Sequence, residues 1–526
     1  GEALGEYHGE MVGATLFPIG RPLSGLQVYE NQRAVDYLLT RPEVDGEQLG
    51  ITGASGGGNQ TMYAGAWDER FRAVVPVCSI GTYQAYLGAA CCMCEVVPGA
   101  MKASEEGGVL SLVAPRALMV INATRDAFQF SVGEAKKSMA FASSVYQLHG
   151  QPKNIRHTIF ESGHDYSKVM RESMYGWMSM HLKGLGDGSP INEPLIETEE
   201  PEALRCFPGT TRPDEWVTIP RFAAREGRKL LDRIQVPGDS AKWQVMATTM
   251  KNRLDRDVLG GNATRPKPVV TSRTANSISS GRTFEFEPEP GIRLFLTEIP
   301  GKEPRKTGMV VFLNLEGMST PASDEFSKAT HEAGRTLIAI NLRATGKQTD
   351  QRDKIGRAPD HNSAEWSFWI GRPLLGQWVM DIRAALDVLE ANGGLPKEVT
   401  LVGNGPAGVV ALCAGVLDAR VWRVVTSNSL ASFLTEVPFE GQRLGILAPG
   451  IVRDVGDIPQ LAALLAPRKL VIAGSVDGAG RALEQSALDR QFEFTKRIYS
   501  IVESPSAMTI STCATANELI RALDRP

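Results

Sequence analysis

Over most of its length the chain alternates between short, nearly unbroken apolar runs and longer stretches whose apolar residues recur at helical spacing. Val28, Val35, Leu38 and Leu39 share one face of a helix over 26–39, which stops at Thr40-Arg41-Pro42. Val44-Asp45-Gly46 then turns the chain into a strand over 49–52. A helix over 59–67 and a strand over 71–77 follow. The apolar run 116–121 has the look of a strand buried on both faces. A helix over 134–148, a strand over 155–160 and a helix over 169–182 close this half; Met170, Met174, Trp177 and His181 or Leu182 form the last helix's stripe. Residues 79–110 have little periodicity and are expected to form a loop or cap. Strands and helices alternating at these lengths predict an α/β fold with a doubly wound parallel sheet.

From 186 the pattern changes. Prolines and the Glu197-Thr198-Glu199-Glu200-Pro201-Glu202 run predict an extended linker, with helices over 223–234 and 240–254 and a polar loop over 271–280. From about 267 a second α/β pattern repeats the first. Phe17-Pro18-Ile19-Gly20-Arg21-Pro22-Leu23-Ser24-Gly25 recurs as Phe368-Trp369-Ile370-Gly371-Arg372-Pro373-Leu374-Leu375-Gly376. A helix over 379–389 follows it, with Ile382, Leu386 and Leu389 on one face. Ala114-Pro115-Arg116 is echoed by Ala466-Pro467-Arg468, and Asp477 falls where Asp126 did, allowing one deletion. Strands near 283–297, 309–315 and 336–340 precede the second copy's Phe368 motif, whereas the first copy's motif comes after only 16 residues. The first sheet is therefore expected to lack its leading strands, as in a fragment of a longer protein, leaving an edge open to pairing. The domains expected are 1–185, a linker with helices over 186–265, and 266–526.

Composition narrows the function classes. The chain has 526 residues, 42% hydrophobic and 22% charged, with a formal net charge of −4. That length suits two or three domains, and the near balance of acid and base, with no long basic run, argues against a nucleic-acid partner. No apolar stretch is long enough to predict a membrane span. The cysteines are Cys78, Cys91, Cys92, Cys94, Cys206, Cys413 and Cys513. Cys-Cys-x-Cys lacks a second Cys/His pair at zinc spacing, so packed thiols or one local disulfide are expected and no metal. No cofactor is expected either, since Gly403-Asn404-Gly405 is a lone glycine-rich turn.

The chemistry concentrates at Leu49-Gly50-Ile51-Thr52-Gly53-Ala54-Ser55-Gly56-Gly57-Gly58. A strand running through Gly-x-Ser-x-Gly into a helix predicts a nucleophile elbow, with the flanking glycines admitting unusual dihedrals and close strand–helix passage. Ser55, Asp126 and His164 each follow a predicted strand, where ligands of parallel α/β sheets bind, and their chain order is Ser…Asp…His. Ser55 would attack, His164 would move the proton, Asp126 would fix the imidazole, and the Gly56 N–H would donate to the oxyanion. Glu95, after the strand following the elbow, is a rival for the acid. In the second copy Gly405 replaces the serine and no histidine follows His361. That copy is expected to be non-catalytic.

The elbow, Cys91-Cys92-Met93-Cys94-Glu95 with Pro98-Gly99, and Ser162-Gly163-His164-Asp165-Tyr166 resemble the acetylxylan-esterase-like branch of bacterial α/β-hydrolases. The resemblance covers residues 1 to about 185, with the second half an altered repeat. It implies two tandem α/β-hydrolase-like sheets, a Ser55–His164–Asp126 triad, hydrolysis of short esters such as acetyl groups on polysaccharides, and export from the cell. Two other readings stand beside it. One is a prolyl-oligopeptidase-type serine peptidase, which shares the elbow and the triad order. The other is a non-catalytic binding or scaffold protein of two hydrolase-like domains.

Overall fold

The computed structural model describes residues 12–524 apart from 90–92, 208–212, 214, 262–265, 276–280 and 303–307. Two compact units emerge. One comprises Pro22–Val217 together with Trp369–Gly371; the other comprises the described part of Gly1–Arg21 with Thr218–Phe368 and Arg372–Pro526.

In the first unit the chain runs α1 (Leu23–Leu38), β1 (Leu49–Ala54), α2 (Gly56–Trp67), β2 (Phe71–Val77), α3 (Tyr83–Tyr86), α4 (Ala100–Ala103), α5 (Glu106–Ser111), β3 (Ala117–Arg125), α6 (Val132–Leu148), β4 (Ile155–Gly163) and α7 (Lys168–Lys183). The four strands are parallel in the order β1-β2-β3-β4. Alternate strand residues feed two cores. Leu118 and Val120 of β3 pack with Met62 of α2 and Met139 and Tyr146 of α6, whereas Met119 and Ile121 pack with Met170 and Trp177 of α7. Helices on both faces explain why β2 and β3 read as unbroken apolar runs. Residues 79–110 differ from the expected loop. They hold α3, α4, α5 and a short 3₁₀ turn, Met93–Glu95, each too brief to show a helical period.

The second unit carries α8 (Ile219–Leu231), α9 (Ser240–Arg253), β5 (Val269–Ala275), β6 (Arg282–Glu289), β7 (Ile292–Ile299), β8 (Met309–Leu313), α10 (Glu325–Glu332) and β9 (Thr336–Ile340). Then come α11 (His361–Trp369, whose last residue joins the first unit), α12 (Leu374–Ala391), β10 (Val399–Asn404), α13 (Ala407–Leu417), β11 (Val421–Ser427), β12 (Lys469–Ala473) and β13 (Met508–Ser511). Its nine strands run β13-β12-β11-β10-β8-β9-β7-β6-β5, parallel as far as β9 and antiparallel beyond. Two expectations are corrected here. The stretch read as a polar loop begins as β5, because an edge strand need not be apolar on its open side. The stretch 283–297 is a hairpin, turned at Gly291 with φ of 84°.

The repeat seen in the sequence persists atom by atom. β1 meets β2 with a register shift at Leu49/Gly50, and β10 meets β11 with the same shift at Val399/Thr400. Arg116 donates to Gly65 O (2.7 Å) and Phe71 O (2.8 Å); Arg468 donates to Gly415 O (2.7 Å) and Val421 O (2.8 Å). Tyr146 and Tyr499 each donate to the carbonyl of that arginine, at 2.8 and 2.7 Å. In the second copy β8 pairs with β10 on its far side, while among the described residues β1 pairs only with β2. The four strands β1-β2-β3-β4 thus correspond to β10-β11-β12-β13 of the second unit.

Candidate active site

β1 ends at Ala54, and α2 begins at Gly56 with no residue to spare. The turn is made at Ser55, whose φ of 58° and ψ of −124° lie outside the basins that L-residues favour. Three backbone bonds hold it there: Ser55 N–H donates to Val77 O (3.0 Å), and Ser55 O accepts from Gly58 N–H (2.8 Å) and Asn59 N–H (3.0 Å). The flanking glycines do not supply the unusual dihedral, since the positive φ falls on the serine, but close passage holds as expected. A Cβ on Gly53 would lie 2.5 Å from Gly57 O, and one on Gly58 2.2 Å from Ser79 Oγ, whereas one on Gly57 would meet nothing within 4 Å. Close passage of strand and helix therefore requires Gly53 and Gly58, with Gly57 left open. Because the helix begins at Gly56 and not Asn59, the Gly56 N–H belongs to a first turn that has no intrahelical acceptor.

Asp126 follows β3 and His164 follows β4. His164 Nδ1 lies 2.8 Å from Asp126 Oδ1, which also accepts from Ala127 N–H at 2.7 Å. The acid is enclosed, its side chain 1% exposed, while the imidazole is 42% exposed. With Nδ1–H donated to the carboxylate, Nε2 is left as the accepting nitrogen on the open side. Among the described residues Ser55 Oγ has no hydrogen-bond partner. The Phe130 ring stacks on the imidazole with centroids 5.9 Å apart.

Cys78 sits just past β2 with φ of 48°, and its thiol donates to Asp165 O at 3.3 Å. Since Ser55 N–H is bonded to the neighbouring Val77 O, this residue ties the elbow strand's side of the sheet to the loop that carries His164. Burial pushes the Cys78 thiol up to about 11, so it is protonated at neutral pH. Among the described residues, its sulfur and one ligand atom each of Asp126 and His164 lie within 4.8 Å of one another, a spacing that could hold a metal ion. Cys91 and Cys92, and the side chain of Cys94, lie outside the described residues. Glu95, the rival acid, is buried and accepts from Tyr86 OH at 3.3 Å, whereas His164 pairs with Asp126. Cys78 and Phe130 were not singled out from sequence. For Cys78 the available signal was its place immediately beyond a buried strand.

Residues 21–90, spanning β1, the elbow and β2, match the model of the prolyl oligopeptidase family. The fold is α/β-hydrolase-like, a parallel sheet with helices on both faces. YtaP of Bacillus subtilis (strain 168), provisionally named a hydrolase, is 25% identical over 167 residues, which are 31% of this chain and 56% of that protein. The chain thus spans just over half the length of this curated relative. Among solved structures, a provisionally assigned acetyl xylan esterase from Bacteroides fragilis NCTC 9343 is 14% identical with a TM-score of 0.43, over 55% of this chain and 81% of that one. A CE15 glucuronoyl esterase from Teredinibacter turnerae T7901 is 15% identical with a TM-score of 0.41, over 68% and 98%. The strand–turn–helix elbow, with its serine at the strained residue, is the part of the site built most fully by local sequence.

Proposed function

We propose that this chain is a serine carboxylic-ester hydrolase that removes acetyl or other short acyl groups from carbohydrate esters. The observation that carries the reading is the pairing of a strained elbow serine with an exposed histidine whose Nδ1 is held by an enclosed carboxylate. Ser55 Oγ attacks the ester carbonyl carbon while His164 Nε2 takes its proton. The Gly56 N–H supports the oxyanion, a kind of contact worth roughly 3–4 kcal/mol of barrier. Collapse expels the alcohol, which leaves with the proton from His164, and the acyl group stays on Ser55. Water then repeats the sequence, losing a proton to His164, releasing the carboxylic acid and restoring Ser55 Oγ–H. Asp126 holds the imidazole tautomer and stabilises the imidazolium. A Ser55–His164 contact that forms only with substrate is ordinary for such sites. The carbohydrate-ester class rests on the resemblance of the elbow, the Cys91–Glu95 segment and the Ser162–Tyr166 segment. The second copy, with Gly405 at its elbow and no histidine after β13, takes no part in the chemistry.

The match of residues 21–90 to the prolyl oligopeptidase family favours one alternative, a serine peptidase. Fluorophosphonate labelling tests the common core of both readings. One equivalent of label is expected on the full chain and none on Ser55→Ala. Turnover of p-nitrophenyl acetate and acetylated xylan without turnover of prolyl p-nitroanilides selects the esterase. A well-folded chain that takes no label overturns both.

A further inference from the structure

The repeated nine-residue segment differs at only two places between its copies, and one of them is Pro18 against Trp369. The difference matters because of where the second copy's segment goes. Trp369–Gly371 belongs to the four-stranded unit, although its neighbours on either side in the chain belong to the other unit. There Trp369 is 1% exposed and stacks on Tyr83, with centroids 4.9 Å apart and planes at 27°. It also meets Tyr86 at 5.1 Å. Tyr86 packs edge-on against Phe130 at 5.9 Å, and Phe130 stacks on His164 at 5.9 Å. Trp369, Tyr86, Phe130 and His164 therefore form one continuous aromatic column, closed at its inner end and open at the imidazole. Phe130 is fixed from behind as well, its carbonyl accepting from Asn122 Nδ2 at 3.0 Å.

The imidazole needs such a backing. Asp126 fixes one nitrogen, but a single hydrogen bond leaves the ring free to tilt about it, and 42% of the side chain faces solvent. The face of Phe130 sets that tilt. Phe130 in turn rests on Tyr86, and Tyr86 on Trp369. Aromatic pairs of this kind favour particular ring orientations beyond what burial alone supplies, enough to bias the imidazole's tilt by a measurable factor. A proline, as in the first copy's Pro18, offers no ring face of this kind. We propose that Trp369, supplied by the second repeat, is a positioning residue for His164, so that the repeat without its own serine and histidine completes the active unit of the first. The inference rests on the reading of His164 as the general base.

The test uses the full chain with Trp369→Leu, which stays apolar but loses the ring, and Trp369→Phe, which keeps a ring. With p-nitrophenyl acetate, Trp369→Leu is expected to lower kcat about tenfold with KM unchanged, as loss of base orientation does, and Trp369→Phe to restore most of it. In a His164→Ala background the same change is expected to have no further effect, which a general packing defect would not produce. The ¹³Cε1 resonance of His164, assigned by its absence in His164→Ala, is expected to shift in Trp369→Leu at every pH of a titration. An unchanged kcat, or an equal fold-loss in the His164→Ala background, overturns the proposal while leaving the hydrolase reading intact. A wild-type chain without label or turnover removes the hydrolase reading. The His164 resonance then still decides whether Trp369 positions the ring, and an unshifted signal overturns the proposal outright.

Discussion

Glu106 is the first residue of α5 and is fully enclosed. One carboxyl oxygen accepts from Gly81 N–H at 2.9 Å, and the other is buried with no partner. Burial lifts this carboxyl from 4.5 to about 8, with nearby Glu105 and Glu95 adding to the lift against the Gly81 hydrogen bond. The sign of its effect on stability follows. Between pH 4.5 and about 8 the folded chain holds a proton that the unfolded chain has released, so stability falls as pH rises across that window, by up to about 1.4 kcal/mol per unit. The contribution is complete below the window and lost above it. Glu106→Gln is expected to flatten the fall between pH 5 and pH 8 and to exceed wild type in stability at about pH 9. Urea midpoints across that range check it. An unaltered slope in the variant would assign the pH dependence elsewhere. At this scale the sequence was least informative: a glutamate at 106 carries no mark of its burial, whereas Ser55 was marked by its glycines.

The joint of β1 and α2 separates two kinds of glycine within one run. At Gly58 an added Cβ meets Ser79 Oγ at 2.2 Å and Val77 O at 2.7 Å, and backbone cannot step aside cheaply. Gly58→Ala is expected to destabilise the four-stranded unit by roughly 1–3 kcal/mol. Gly57 is open, lies within α2 and has no positive φ, so Gly57→Ala is expected to be neutral or to stabilise by up to about 1 kcal/mol. Thermal unfolding of the two variants reads the contrast, and equal losses would refute it. The strand–turn–helix order was legible in advance because each part has a local cause: an apolar run, a glycine-rich turn, a helical period. The helices of 79–110 were not, since one or two turns cannot display a period of 3.6. Nor was β5, a mostly polar run without apolar alternation, which is a strand because it pairs with β6.

Across the chain the two copies of the Phe-x-Ile-Gly-Arg-Pro segment are each divided between units. Residues up to Arg21 belong to the nine-stranded unit. There the Phe17 ring meets Phe368 with centroids 4.9 Å apart, and Phe17 O and Pro18 O accept from Gly450 N–H and Val452 N–H, both at 2.8 Å. Leu16, Phe17 and Ile19 are all buried. Phe17→Ala is expected to destabilise this unit by roughly 3–5 kcal/mol, the cost of deleting an enclosed aromatic side chain. Hydrogen exchange at the Gly450 and Val452 amides, which the segment protects, should accelerate accordingly. Unchanged exchange would mean the segment is not part of that core.

What the linear pattern could specify is whatever depends on neighbours a few residues away. Period, glycine placement and the order of Ser55, Asp126 and His164 after three strands all have local causes, and each was readable before any coordinate. The repeat was readable too, because two copies of one local code betray each other. What needed the folded chain is everything joined across sequence distance: the pairing of His164 with Asp126 and not Glu95, the Cys78 bond to Asp165 O, the enclosure of Glu106, and the passage of Trp369 into the first unit. These depend on long-range packing, in which a residue's energy is set by partners that no local period encodes.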